Sequence, residues 1–340
     1  MGSVAAVVEA VAGCVESRYV DEGAGAVVAA ALRRKLHDGG YDEEAYAAPL
    51  AVLLTADLQA ALPDLHLQVR WSDQPREESA TSHWDDPAFL ADYWAREALD
   101  NHGFERAERL PGNVGLIVVR GLDEPEGTAA VVDAAFAFLA RCSALIIDLR
   151  RTTGGAPSGV AYFLGHLLPP GTPLVEVRDR AGTVLERTAT PADRQPTLGS
   201  DVPVFALTGR RTVSACEELV YDLRAAGRAT LVGASTAGAA NPVDIYTIDP
   251  HVAVRVPTAA VRHCLTGGNW EGAGIVPDVA CAVGDALDVA HRLALDEVRL
   301  QVSTGRIVRA EALLEELDDM GRELDEQLGL RHASSGRDQE

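Results

Sequence analysis

The chain has 340 residues, 47% of them apolar, and sets 51 acidic against 30 basic side chains for a formal net charge of −21. That length and apolar share bury a substantial core, enough for one large domain and a smaller one. The charge repels nucleic acid and anionic membranes and excludes both as expected partners.

The opening MGSVAAVVEAVAGCVESRYVDE is interrupted by Glu9 and Glu16 and has no basic run before its apolar part. It is expected to be neither a signal peptide nor a membrane span. Apolar residues at helical spacing, Val4, Val7, Val8, Val11 and Val15, then Val28, Leu32 and Leu36 before Gly39-Gly40, predict two helices. A third carries Leu50, Leu53, Leu54, Leu58 and Leu62 and stops at Pro63. Asp64 to Trp71, DLHLQVRW, alternates like a half-buried strand, with His66 expected on its polar face. Residues 72 to 88 read as a polar loop, followed by a helix from Phe89 to Leu99. The expected domains are 1–72, a helical domain; 73–100, a linker and connecting helix; 101–295, an α/β core; and 296–330, a helical tail.

From Gly112 strands and helices alternate: GNVGLIVVR as strand, Thr128 to Arg141 as helix, SALIIDLR as a buried strand, and Thr152-Thr153-Gly154-Gly155 opening another helix. A hairpin is expected around Ala181-Gly182. Asp148, closing the buried strand, is expected to anchor the Gly154-Gly155 loop. The tail places Leu313, Leu314, Leu317, Met320, Leu324 and Leu328 on one stripe of an acidic helix, expected to dock on the body and also able to pair with a partner helix as an oligomer contact.

Five cysteines, Cys14, Cys142, Cys216, Cys264 and Cys281, are odd in number and lack metal-binding spacing, so reduced thiols in a cytoplasm are expected. Thr153-Gly154-Gly155 lacks the Lys-[Ser/Thr] of a phosphate loop, and neither a cofactor nor a metal is expected. Only Lys35 among the basic residues is lysine, a usage associated with high-GC bacterial genomes.

Val202 to Gly233 carries the chemistry. It reads as a strand from Val202 to Leu207, a loop, a helix opening at Ser214 and a second strand from Thr230 to Val232. Ser214-Ala215-Cys216-Glu217 is a capping box, which alone favours a capping role for the serine. The wider text, TxRRTxSAxEExxYDLxxxGRATLVG, resembles the nucleophile segment of the S41 (C-terminal processing) peptidases. RYVDE, LTADLQAALPDLHLQVRW, NHGFERAERLPGNVGLIVVRGL, LIIDLRRTTGG, ASTAGAANP and NWEGAGIVPDV follow in that family's order. The likeness is to its interphotoreceptor-retinoid-binding-protein-like branch, from about Tyr19 to about Val283.

The resemblance implies a ClpP/crotonase-like α/β core of repeated ββα units, a small N-terminal helical domain and Ser214 as nucleophile. The usual base is a lysine in a G-x-x-T-x-G-K-G loop; here Ala239 holds that place. Val118 stands where the tricorn type has a histidine. A third arrangement, that of the chlamydial secreted protease, takes its histidine from an Asp-x-His segment, matched here by His66, and its glutamate is matched by Glu271. Ser214, His66 and Glu271 would then form a triad, with amides of Gly154 or Gly155 and of Ala215 as oxyanion hole. Expected activity is hydrolysis of a peptide or other acyl bond, with a specialised bacterial biosynthetic role compatible. The alternatives are a carrier of an apolar, retinoid-like or fatty-acid-like ligand and a crotonase-like enzyme that stabilises an enolate.

Overall fold

The computed structural model describes residues 3–41, 47–75, 83–308 and 310–335. The chain divides into two compact units, one of Met1–Arg96, Val175–Arg187 and Gly238–Ala273, the other of Glu97–Leu174, Thr188–Ala237 and Gly274–Glu340.

The first unit opens with α1 (Val4–Arg18), α2 (Glu22–His37) and α3 (Ala48–Ala61). Ser3 and Asp21 cap the first two through bonds to Ala6 N and Ala24 N, as short side-chain acceptors do at helix starts. The valines and leucines expected on the inner stripe are buried, and they meet one face of a sheet ordered β1 (Gln68–Trp71), β12 (Val252–Pro257), β11 (Val243–Asp249). Val69, Val252, Val254, Val256 and Tyr246 supply that face, so Gln68, Arg70 and Arg255 fall on the other. The strand expected from Asp64 begins only at Gln68, because residues 65 and 66 make a turn. A short 3-10 turn (His83–Asp85) leads into α4 (Pro87–Leu99). The hairpin expected at Ala181-Gly182 joins β7 (Pro173–Asp179) to β8 (Val184–Ala189), and β7 pairs with β13 (Ala259–His263).

The second unit holds a six-stranded sheet ordered β14 (Val279–Ala280), β10 (Thr230–Gly233), β9 (Val204–Thr208), β5 (Ala144–Asp148), β3 (Val114–Val119), β2 (Phe104–Leu110). Only β2 and β3 run antiparallel. Strands β3, β5 and β9 are buried along their whole length, the pattern of parallel strands covered on both faces. Between them come α5 (Pro125–Phe138), α6 (Pro157–Leu164) and α7 (Ala215–Ala225). One face is covered by α8 (Ala286–Ser303) and α9 (Glu311–Ser335), with Leu317 and Leu324 buried among Ala290, Ala294, Leu295 and Val298. The acidic tail helix therefore docks on its own unit. Two short pieces, β4 (Gly121–Leu122) and β6 (Gly154–Gly155), pair in parallel. The glycine pair expected to open a helix is thus a strand, and α6 starts beyond it at Pro157. Among the described residues no helix is long and apolar enough to cross a membrane.

Candidate active site

Ser214 stands where β9 has ended and α7 begins, at φ 54° and ψ −128°. Among the described residues the other non-glycine positions of positive φ are Asn101, His102 and Asn113. A serine in that conformation costs on the order of 1–3 kcal/mol and persists only where its surroundings impose it. Those surroundings are explicit. Thr152 Oγ1 takes the Val213 N–H at 3.1 Å, and Thr152 N–H reaches Arg211 O at 2.8 Å. Glu217, fully buried, accepts from Ser214 N–H at 3.1 Å and from Thr236 Oγ1 at 2.5 Å.

The capping-box arrangement is present, yet only its return half is a hydrogen bond, because the serine hydroxyl makes no side-chain cap bond. The Glu217 N–H lies instead on the Ser214 carbonyl at 2.7 Å, and Cys216 and Glu218 N–H turn back on Val213 and Ser214 carbonyls. The Ala215 N–H is left at the helix start without a backbone acceptor among the described residues. Such orphan amides favour negative charge beside them.

Gly154 lies against the serine: a Cβ there would sit 3.0 Å from Ser214 Cβ and 3.4 Å from its Oγ. Its φ is 100° and that of Gly155 is 145°, so both positions call for glycine. The flanking amides are spent on the neighbouring chain, Thr153 N–H on Arg120 O at 2.6 Å and Ala156 N–H on Leu122 O at 2.7 Å.

The histidine and glutamate belong to the other unit. His66 is 7% exposed, not on a polar strand face as expected. The reason is local: Asp64 Oδ1 accepts the His66 main-chain N–H at 2.8 Å, forming a turn that carries the ring inward. Asp64 Oδ2 is held by Tyr19 Oη at 2.8 Å. Burial and the Arg255 guanidinium push the imidazole down to about 4, against the opposing pull of Asp64 and the Asn241 main chain. Glu271 Oε2 accepts from Ala240 N–H at 2.8 Å and Asn241 N–H at 2.9 Å. His66 and Glu271 therefore converge on the Ala240-Asn241 segment. The Asp64 carboxylate acts on the ring itself.

The peptidase family S41 model matches residues 113–281, and the model of the N-terminal domain of S41 peptidases in eukaryotic interphotoreceptor retinoid-binding protein matches residues 2–97. The chain belongs to peptidase family S41. It is a peptidase-like serine hydrolase by that membership, and its N-terminal match is consistent with the retinoid-binding-protein-like branch. Solved structures agree on the α/β fold. A candidate peptidase from Parabacteroides merdae matches at TM-score 0.60 and 19% identity, over 87% of this chain and 98% of that one. A lipoprotein from Streptococcus agalactiae matches at 0.53 and 16%, over 87% and 98%. The tricorn protease matches at 0.56 and 13%, over 87% of this chain and 37% of that one.

Within this S41 chain, Ala239 and Val118, which hold the places where the resemblance implied a lysine or a histidine, are buried at 2% and 5% exposure. Cys216, fully buried, has its thiol pushed up to about 12 by desolvation, which makes it a packed side chain instead of a nucleophile. Asp148 does not hold the glycine loop: its carboxylate is bound by Arg150 at 3.0 and 2.8 Å. The loop is tied instead through Thr152 and Thr153. His83, buried in the first unit, bonds Thr247 Oγ1 at 2.7 Å across 164 residues.

The buried histidine carries a consequence for stability. Its folded value of about 4 lies below the ordinary 6.5, so the unfolded chain binds the extra proton between those values. Stability is therefore full above 6.5 and falls as the pH drops toward 4. A urea midpoint is expected to correspond to about 2 kcal/mol less stability at pH 5 than at pH 8 from His66 alone, a difference that His66→Asn removes.

Proposed function

We propose that Ser214 is the nucleophile of an acyl-enzyme mechanism acting on a peptide or other acyl bond. The observation that carries this is the strained φ and ψ of Ser214 at a strand-to-helix elbow, packed on a glycine that admits no side chain. A capping serine has no need of that conformation. In the proposed chemistry the hydroxyl attacks the acyl carbon and passes its proton to neutral His66. The imidazolium then protonates the leaving group, and water repeats the sequence to free the enzyme. Amides of Gly154, Gly155 and Ala215 are proposed to receive the oxyanion. Glu271 is proposed to orient the base side of the site by fixing Ala240-Asn241, the segment whose main chain acts on the His66 ring. A specialised biosynthetic role in a bacterium is compatible with the missing lysine base.

The test is labelling with a fluorophosphonate, with the adduct located by peptide mass, on wild type and His66→Ala. Adduct on Ser214 of wild type and a rate at least ~10³-fold lower in His66→Ala is the expected result. The pH profile sharpens it. A base held near 4 is neutral and competent down to about pH 5, so the labelling rate is expected to be flat from about pH 8 to 5 and to fall about tenfold per unit below 4. Adduct on another residue, or equal rates in both proteins, would discard the assignment.

A further inference from the structure

Tyr19 closes α1 as its C-cap and Asp64 lies just past α3, so two helices of the first unit end at one hydrogen bond, Tyr19 Oη to Asp64 Oδ2 at 2.8 Å. Both side chains are buried. The main chain fixes each end as well. Tyr19 N–H bonds Val15 O at 2.9 Å, and Val20 N–H bonds Pro257 O at the end of β12 at 2.8 Å. Asp64 Oδ1 takes the His66 N–H at 2.8 Å and the Asp64 carbonyl takes the Leu67 N–H at 3.3 Å. One residue thus closes twice the turn that carries the imidazole.

The turn alone does not call for an aspartate. Asparagine closes the same turn through its side-chain carbonyl and places no carboxylate in the interior. Asp64 is 2% exposed and makes no ion pair with any described residue; its oxygens meet a tyrosine hydroxyl and a main-chain amide. A carboxylate buried on so few partners costs stability, and its charge is felt by any ionisable group beside it. That group is the His66 ring. Burial and the Arg255 guanidinium of β12 hold the imidazole down, and Asp64, together with the Asn241 main chain, pulls the other way. Tyr19 faces Asp64, Glu271 and Asp21; burial and these carboxylates push its hydroxyl up, which keeps it a donor.

We propose that Asp64, gripped by Tyr19, is the positioning residue of His66: its bond to the His66 N–H sets where the ring stands, and its negative charge favours the imidazolium that forms when the ring takes a proton. The helical part of the first unit then has a share in the chemistry, because the ends of α1 and α3 deliver the two groups that hold the base. Glu271 works beside this pair, through the Ala240 and Asn241 amides. Calling His66 a base rests on the hydrolase reading; the hold of Asp64 on the ring does not.

The experiment is an NMR titration of the full-length protein carrying isotope-labelled histidine, with the His66 signal assigned by its loss in His66→Asn. At pH 4 the wild-type ring is expected to be about half protonated. The Asp64→Asn ring is expected to be about one-tenth protonated, a midpoint about one pH unit lower, as loss of one neighbouring opposite charge gives. Asp64→Glu, which keeps the charge, is expected to retain part of the wild-type protonation, and Tyr19→Phe, which frees the carboxylate, to lose part of it. Fluorophosphonate labelling is expected to slow about tenfold in Asp64→Asn at neutral pH, with the acid fall of its rate beginning about one pH unit lower. A residue that only closes the turn moves neither, since asparagine closes it too. Equal protonation of the ring in wild type and Asp64→Asn overturns the inference. So does a ring that follows Glu271→Gln instead of Asp64→Asn, or an Asp64→Asn protein that labels with the wild-type rate and pH profile. Should Asp64→Asn unfold near pH 4, the comparison is made in the Arg255→Gln background, where loss of the guanidinium charge lifts both titrations to higher pH. The two readings fail separately. An adduct on wild type with a ring indifferent to Asp64 sinks only the positioning pair, and a ring that follows Asp64 with no adduct sinks only the hydrolase.

Discussion

Ser214→Ala is expected to lose the fluorophosphonate adduct and to hydrolyse acyl substrates at least ~10⁴-fold more slowly, with its fold intact. The fold survives because the elbow is held by groups other than the hydroxyl: Glu217 binds the Ser214 N–H, Thr152 binds the Val213 N–H, and Thr236 bonds Glu217 from behind. A second substitution separates chemistry from capping. Ser214→Gly removes the strain of φ 54° and ψ −128°, and the urea midpoint is expected to show about 1 kcal/mol of added stability after the entropy of glycine is offset. A serine retained as a cap predicts the reverse, a loss of about 0.5–2 kcal/mol in Ser214→Ala with no loss of labelling. Stability rising as activity disappears is the signature of a residue strained for function.

The elements that could be read in the sequence are those whose pattern is local. Val4, Val7, Val8, Val11 and Val15 recur at helical spacing, and all are buried on the inner side of α1. Strands β5 and β9 read as short apolar runs because both faces are covered. The β4 and β6 pieces had no such signal: two residues each cannot show a period, and their pairing joins positions more than thirty residues apart. Strand β2, FERAERL, buries only Phe104 and is exposed or half-exposed along the rest of its length at a sheet edge.

The candidate site divides in the same way. Ser214 at its elbow was legible because strand, loop, cap and helix are contiguous. His66 was placed on the wrong side because alternation was carried four residues too far, into the turn that Asp64 makes. The aspartate was itself visible in the Asp-x-His segment, and its contact with the His66 N–H is the information the pattern lacked. The bonds that Glu271 accepts from the Ala240 and Asn241 N–H groups depend on a loop register that no local pattern encodes.

Gly155→Ala is expected to be the most damaging single-methyl change in the loop, lowering the labelling rate by about 10²-fold or more and stability by about 3 kcal/mol. A Cβ at Gly155 would lie 2.0 Å from Leu122 O and 2.4 Å from Leu122 C, with φ at 145°. These are backbone atoms of the paired strand, so no side chain can move aside, and β4 and β6 must separate. The amides proposed for the oxyanion then leave their positions even though no catalytic side chain has changed. Gly171→Ala is the control: its φ is 67°, but nothing lies within 4 Å of the added carbon, so about 1 kcal/mol of stability and no labelling are lost. Both are positive-φ glycines of the second unit, and only one abuts the strand that positions the loop. If Gly155→Ala folded and labelled at the wild-type rate, the oxyanion would have to be met by Ala215 and the helix start alone. If it folds and labels slowly while Gly171→Ala does not, the loop acts through the placement of its amides.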